Sequence, residues 1–183
     1  MTTVRRLAAD EWRVYRTLRL AALEESPDAF GSTIAHERER ADADWASRLV
    51  RAASSARESP LVAEVDNEPC GLTWVVLEGD HDEVAHVFQM WVAPEKRGRG
   101  VGRALLDAAI AWARSVGARA IVLGVTVGNG EAARLYEAAG FVATGSEKPL
   151  RPGSELRSRA MRLALESDIR GPAAHREDSS SSH

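Results

Sequence analysis

The 183-residue sequence carries a single cysteine, Cys70. One thiol excludes an intramolecular disulfide and any cysteine-based zinc cluster, and it suits a reducing compartment. The five histidines lie scattered along the chain, so no metal is expected. Nowhere does an apolar run approach the roughly 20 residues that span a bilayer. The start, MTTVRRLAADEW, lacks the apolar stretch of a secretory signal and turns acidic and amphipathic at once, so a cytoplasmic protein is expected. A net charge of −3 gives no global attraction to nucleic acid or to anionic lipid, which leaves any anion to be bound by a local patch. No internal repeat is visible.

What is there is the composition of a soluble globular protein, 44% hydrophobic and 28% charged. A chain of this length buries roughly 70% of the surface its unfolded form exposes, enough for one sizeable core. VRRL reads as a first strand, and Trp12, Tyr15, Leu18 and Leu20 to Leu23 recur at helical spacing up to the break ESPDAF, predicting a helix that ends near Glu25. STIAHERERADADWASRLVRAA predicts a second helix or a helix pair, its charges forming a solvated face around Ile34, Trp45 and Leu49. LVAEV, the turn DNEP and CGLTWVVLEG predict an antiparallel hairpin, followed by the strand VAHVFQMWV. Val101, Leu105, Ala109, Trp112 and Val116 then mark one face of a helix that VGA ends, and AIVLGVTV reads as a central strand buried on both faces. A short helix over Asn129–Ala138, a strand near Phe141–Gly145, a polar loop SEKPLRPGS and a last strand RAMRLAL complete the pattern. Residues 1–166 read as one mixed α/β (α+β) domain, and 167–183, SDIRGPAAHREDSSSSH, as a disordered tail.

Between the strand ending at Val92 and the helix starting near Gly100 stands RGRGVG, residues 97–102. Backbone amides at a helix mouth lack intrahelical partners, and the helix dipole adds partial positive charge, so the turn suits a phosphate. Glycines let the backbone approach an anion closely, while Arg97, Arg99 and Arg103 supply charge-assisted hydrogen bonds. A solvated glycine-rich turn is the competing reading. A Walker loop is excluded, because Gly102 is followed by Arg103 and Ala104 rather than by lysine and a hydroxyl residue. The spacing Gly98, Gly100, Gly102 equally fails the dinucleotide fingerprint.

What the turn does match is R-x-x-G-x-G, with Arg97, Gly100 and Gly102, after a strand ending WVAP and ahead of NGEAARLYEAAGF at 129–141. The two motifs in this order resemble the GNAT superfamily of acyl-CoA-dependent N-acetyltransferases, strongly over about residues 60–145. The resemblance implies one mixed, mostly antiparallel, twisted sheet of six or seven strands flanked by about four helices. Two parallel central strands, roughly 84–92 and 119–126, should splay apart to admit acetyl-CoA. It further implies that backbone groups of Met90, Trp91 and Val92 align the pantetheine arm and acetyl group, and that Arg97, Gly98, Arg99, Gly100, Val101, Gly102 and Arg103 hold the pyrophosphate. Asn129 matches a family asparagine that contacts the cofactor or caps the next helix.

The same resemblance makes the Met90 amide the donor to the thioester oxygen. It makes Tyr136 the residue that protonates the departing CoA sulfur. With reference pKa values of about 10 for tyrosine and about 8.5 for a thiol, that transfer is mildly uphill unless the site shifts them. Some relatives place a carboxylate base on the fourth strand, where this chain has His86. Strand alternation would set His86, Phe88, Met90 and Val92 on one face, with His86 a candidate catalytic base. A solvent-facing histidine is the competing reading, Glu83 is a rival base, and a water chain is a third route. Phe30 and Ser32, in the loop SPDAFGST, are candidate acceptor contacts, and SEKPLRPGS has the length of a lid. Cys70 reads as a small buried hydrophobe, and Trp74 and Trp91 as core. The expected reaction is direct acetyl transfer to a primary amine in a ternary complex. A small-molecule acceptor and a protein lysine or N-terminal acceptor both stay open, as does a non-catalytic acyl-CoA sensor. Homodimer formation is open as well.

Overall fold

A computed structural model describes residues 1–79 and 83–165. In chain order the elements are β1 (Thr2–Arg6), α1 (Trp12–Glu25), α2 (Ile34–Arg38), α3 (Asp42–Ser54), β2 (Glu58–Val65), β3 (Glu68–Glu78) and β4 (Val84–Val92). After them come α4 (Val101–Ser115), β5 (Ala120–Thr126), α5 (Gly130–Ala138), β6 (Val142–Pro149) and β7 (Arg157–Ala164), with single 3-10 turns at Pro27–Ala29 and Pro94–Lys96. The strands form one seven-stranded sheet in the order β1-β2-β3-β4-β5-β7-β6, antiparallel throughout except for β4 with β5. This is the mixed sheet expected from the sequence. The tail expected at 167–183 lies outside the described residues, and no helix among those described is long and apolar enough to cross a membrane.

The core forms on both faces of the sheet. Cys70–Val75 of β3 are all buried, because helices cover the strand on each side. On one side Tyr15 of α1 meets Trp74 and Trp45 edge-on, at 5.1 and 5.3 Å between ring centroids. On the other, a Cβ at Gly71 would lie 3.1 Å from Leu105 of α4, so odd and even positions of β3 serve different layers. The stripe Val101, Leu105, Ala109 of α4 is fully buried. Asp42 and Asp44 occupy the first turn of α3, where negative charge complements the helix dipole.

Two expectations need correction. Ser146–Pro149 are strand rather than loop: β6 continues past a bulge between Thr144 and Lys148, and Lys148 and Pro149 pair with Ser158 and Arg157. The disguise was chemical, since Pro149 removes a donor, which an edge strand such as β6 tolerates. The alternation along β4 also breaks. Leu72 pairs with Trp91 but Trp74 pairs with Phe88, so β4 carries one residue more than β3 across this step. Gln89, with φ +58°, marks the bulge. His86 and Phe88 therefore share the α1 face with Trp91, whereas Met90 and Val92 turn to the α4 face.

The bulge sits where the sheet opens. β4 and β5 pair over Val84–Val87 and Ala120–Leu123 only, although β4 continues to Val92 and β5 to Thr126. The expected splay is present, and Gln89 and Met90 have no one-to-one partner in the register with β3 or β5.

Candidate functional site

A cleft of about 440 Å³ fills the splay on the α4 side. Met90, Trp91 and Val92 line it from β4, the 97–103 turn closes one end, and Tyr136 and Leu135 of α5 form the far wall. Gly100 holds φ +79° as the residue that caps α4, and a Cβ there would project into open space. The first turn of a 15-residue helix thus points unpartnered amides at a cleft with no side chain in the way. Asn129 lines the same cleft while its Oδ1 accepts from the Ala132 amide at 3.2 Å, so capping and cleft contact coexist.

The arginines of the turn behave differently from one another. Arg97 lines the cleft, but its guanidinium is already engaged: Nε donates to the Val92 carbonyl at 3.0 Å, and Nη1 and Nη2 donate to Glu25 at 3.2 and 2.7 Å. Arg103 donates to Asp107 at 2.8 Å, and Arg99 is exposed and outside the cleft lining. Positive potential for an anion therefore comes mainly from backbone amides, and Arg97 acts as a strut that fixes the turn against the end of α1.

Glu25 is the other half of that strut, and sequence reading gave it no role. Its Oε2 also accepts from Trp91 Nε1 at 3.0 Å and from the Ser26 hydroxyl. The Arg97 guanidinium, ahead of all other causes, holds the Glu25 carboxyl down at about 2, against a usual value of 4.5. A depressed folded-state pKa gives stability that is fully present above pH 4.5 and is lost as pH falls toward 2. Because the pair is about one-third exposed, solvent screening cuts its worth to roughly 1–2 kcal/mol. Glu25→Gln is expected to lower Tm by about 2–6 °C above pH 5, with the gap to the parent closing below pH 4. Thermal melts of both proteins from pH 3 to 8 test this, and a gap that stays constant down to pH 3 would remove the strut.

Tyr136 is 5% exposed, packs against Phe141 at 6.1 Å between ring centroids, and lines the cleft. Burial pushes its phenol up to about 12, and no side chain among the described residues bonds its hydroxyl. The phenol is neutral at any working pH.

A second cavity, of about 550 Å³, opens on the α1 face. Phe88 and Gln89 line this one while Met90 and Val92 line the first, and Ala29 and Phe30 line both. Ser32 joins the second cavity with Leu150, the first residue after β6. Phe30 and Ser32 both line this second cavity, and the shortened hairpin loop reaches it through Leu150. Gln89 accepts from the Tyr15 hydroxyl at 3.0 Å, which pins the bulge to α1.

The structure also adds two residues that sequence reading passed over. Arg19 is 3% exposed and lines the second cavity from α1, its guanidinium 4.7 Å above the Phe30 ring. Arg48 of α3 lies beside it, over Tyr15 and Trp74 at 5.8 and 5.7 Å. A signal existed: Arg19 falls four residues after Tyr15 and Arg48 three after Trp45, each inside an apolar helical stripe.

His86 does not reach the first cleft, because the bulge turns Met90 away from its face. It lines a third cavity instead, stacks at 6.2 Å behind Phe88, and has Nε2 3.6 Å from Glu78. Glu83 lies beside Gly117, at the opposite end of the strands, with its carbonyl bonded by Arg119 N–H. Cys70 is buried with its thiol near the Ala63 carbonyl at 3.5 Å, as a small hydrophobe should be. No group of three or more metal-ligating side chains occurs among the described residues.

Known proteins carry the same architecture. An acetyltransferase of the GNAT family from Streptococcus pneumoniae superposes with a TM-score of 0.77 at 21% identity, over 91% of this chain and all of that one. The yncA protein of Salmonella typhimurium, solved with its cofactor acetyl-CoA, gives 0.75 at 21% identity, over 94% and 99% of the two chains. In sequence, the mycothiol acetyltransferase of Stackebrandtia nassauensis is 32% identical over 124 residues, 66% of this chain and 38% of that protein. The chain therefore spans well under half the length of that curated relative. The profile described as Acetyltransferase (GNAT) family matches residues 15–141, from the aromatic core of α1 to the end of the α5 turn. By that match the chain belongs to the GNAT acetyltransferase family.

Proposed function

We propose that the protein transfers an acetyl group from acetyl-CoA to a primary amine by direct attack in a ternary complex. The observation that carries this reading is the pair of cavities meeting at Ala29 and Phe30 across the β4 bulge. On this reading one holds the cofactor and the other the acceptor, and their shared wall brings the reacting groups together without a covalent acetyl-enzyme. A cavity of about 550 Å³ is in the range of small-molecule sites, which favours a small acceptor over a protein segment.

The residues fit acetyl-CoA, since open space at the Gly98 and Gly100 Cβ positions leaves room for close approach of a pyrophosphate. The cosubstrate supplies an activated thioester. The turn amides at 98–103 hold the pyrophosphate, Met90 and Val92 align the arm, and the Met90 amide, beside the β4 bulge, donates to the carbonyl oxygen as charge develops there. Tyr136 donates a hydrogen bond toward the departing sulfur. The acceptor ammonium gives up its proton to water in the second cavity, whose lining includes Phe88 but not His86. Cys70 as a reduced thiol and the absence of a spanning helix among the described residues favour a cytoplasmic setting.

The test is thiol release from acetyl-CoA across a panel of amines, with acetyl-CoA binding measured in parallel. Release with at least one small amine, and none with lysine peptides, is expected. Tight acetyl-CoA binding with no release from any amine would replace this reading with the acyl-CoA sensor. A companion variant probes the base: His86→Gln is expected to keep the pH profile of kcat/KM within threefold of the parent from pH 6 to 9. A tenfold loss of kcat/KM across that range would return His86 to the reaction.

A further inference from the structure

We propose that the second cavity takes an amine that also carries an anionic group, a carboxylate or a phosphonate, held by Arg19 and Arg48. This rests on the acetyltransferase reading for the amine's fate, though the anion site stands on its own geometry. Arg19 is 97% buried by its 3% exposure, yet Nε and Nη1 have no hydrogen-bond partner and no carboxylate lies within ion-pair range. Nη1 of Arg48 is likewise buried without a hydrogen bond.

The charge balance shows why an anion is called for. Glu37, buried beside them, is shared: it takes a close bond from Arg40 at 2.6 Å and leaves Arg48 at 3.7 Å. Glu58 is committed to Arg51 at 3.5 Å and to the Trp74 indole at 3.1 Å. Arg40 and Arg48 thus share one carboxylate, Arg19 has none in ion-pair range, and Arg19 and Arg48 both line the cavity. A buried guanidinium without a partner is costly, and a fold keeps one where a ligand will complete it. Burial pulls the Arg19 guanidinium below its ordinary value, as an unpaired cation should be. Its planar fork suits bidentate capture of either oxyanion. Stacking on Phe30, which lines both cavities, sets the anion beside the wall where transfer would occur. The same positive charge repels polyamines.

Matched pairs test the inference: L-phenylalanine against L-phenylalaninamide, and 2-aminoethylphosphonate against ethanolamine, with spermidine as the cation. In thiol release, each anionic member is expected to exceed its neutral partner by about 10- to 100-fold in kcat/KM. In Arg19→Met that preference should collapse to less than threefold, and in Arg19→Lys, which keeps charge but loses the fork, it should fall to an intermediate value. Calorimetric titration of the full chain with L-phenylalanine and with 2-aminoethylphosphonate separates the levels. Binding lost in Arg19→Met supports the anion site even where no thiol is released, a result that would overturn only the transfer reading. Equal turnover of neutral and anionic partners, a preference for spermidine, or binding indifferent to both variants would overturn the anion site itself. The stronger binder of the two probes decides between carboxylate and phosphonate.

Discussion

Gly100→Val is expected to weaken acetyl-CoA binding by about 50- to 100-fold while lowering Tm by only a few degrees. Two costs combine. The left-handed φ of +79° is strained for any side chain, by roughly 1–2 kcal/mol, and a β-branched residue suffers most. If the backbone relaxes toward negative φ, the first-turn amides of α4 no longer converge on the cleft. If it holds, the new methyl groups occupy space that is now open. Either way the loss falls on the proposed pyrophosphate site, which on this reading relies mainly on backbone amides because Arg97 is engaged by Glu25. Calorimetric titration with acetyl-CoA and with CoA reads the effect, and Gly100→Ala should fall between parent and valine. An affinity within threefold of the parent would sink the assignment of this turn to the pyrophosphate.

Tyr136→Phe should lower kcat by about 10- to 100-fold and leave the KM for acetyl-CoA within twofold. The size follows from one hydrogen bond to a charged acceptor, worth about 1.5–3 kcal/mol. The pKa decides its character. A phenol pushed up to about 12 and a thiol near 8.5 differ by about 3.5 units, so full proton transfer to the thiolate is uphill by about 5 kcal/mol. In the proposed reaction Tyr136 therefore serves the leaving sulfur as a hydrogen-bond donor without releasing its proton. The kcat profile should consequently show no limb between pH 6 and 10 that disappears in the phenylalanine variant. A variant with kcat within twofold of the parent would leave the ring a packing role only.

Much of this was legible in the chain because the informative residues are local. RGRGVG and NGEAARLYEAAGF each describe one turn and the helix it opens, and local turns survive transfer from sequence to structure. Hydrophobic periodicity likewise placed α1, α4 and β5 within a residue or two. What escaped is non-local. The β4 bulge depends on the register against β3, and one extra residue there moved Met90 to a different face from His86. The strand at Ser146–Pro149 was hidden by Gly145 and Pro149, whose local preferences the pairing with β7 overrides. Glu25 and Arg97 are 72 positions apart, and nothing in either neighbourhood announces the other. Arg19 and Arg48 did leave a trace, as cations inside apolar stripes, but only their convergence on one cavity gives it meaning.

The segment after α1 has a further consequence. Arg97 grips the last residue of α1, Thr126 of β5 donates to the Asp28 carbonyl at 2.8 Å, and Arg151 beyond β6 donates to the carbonyls of Pro27 and Phe30 at 3.1 and 3.0 Å. Three distant parts of the chain thus hold one short loop, and the side chains of that loop furnish a partition between two chambers. Such an arrangement separates inheritance from innovation: on the proposed reading, insertions in the β6–β7 hairpin can resize the second cavity by moving the partition, while the cleft beside the glycine turn keeps its shape.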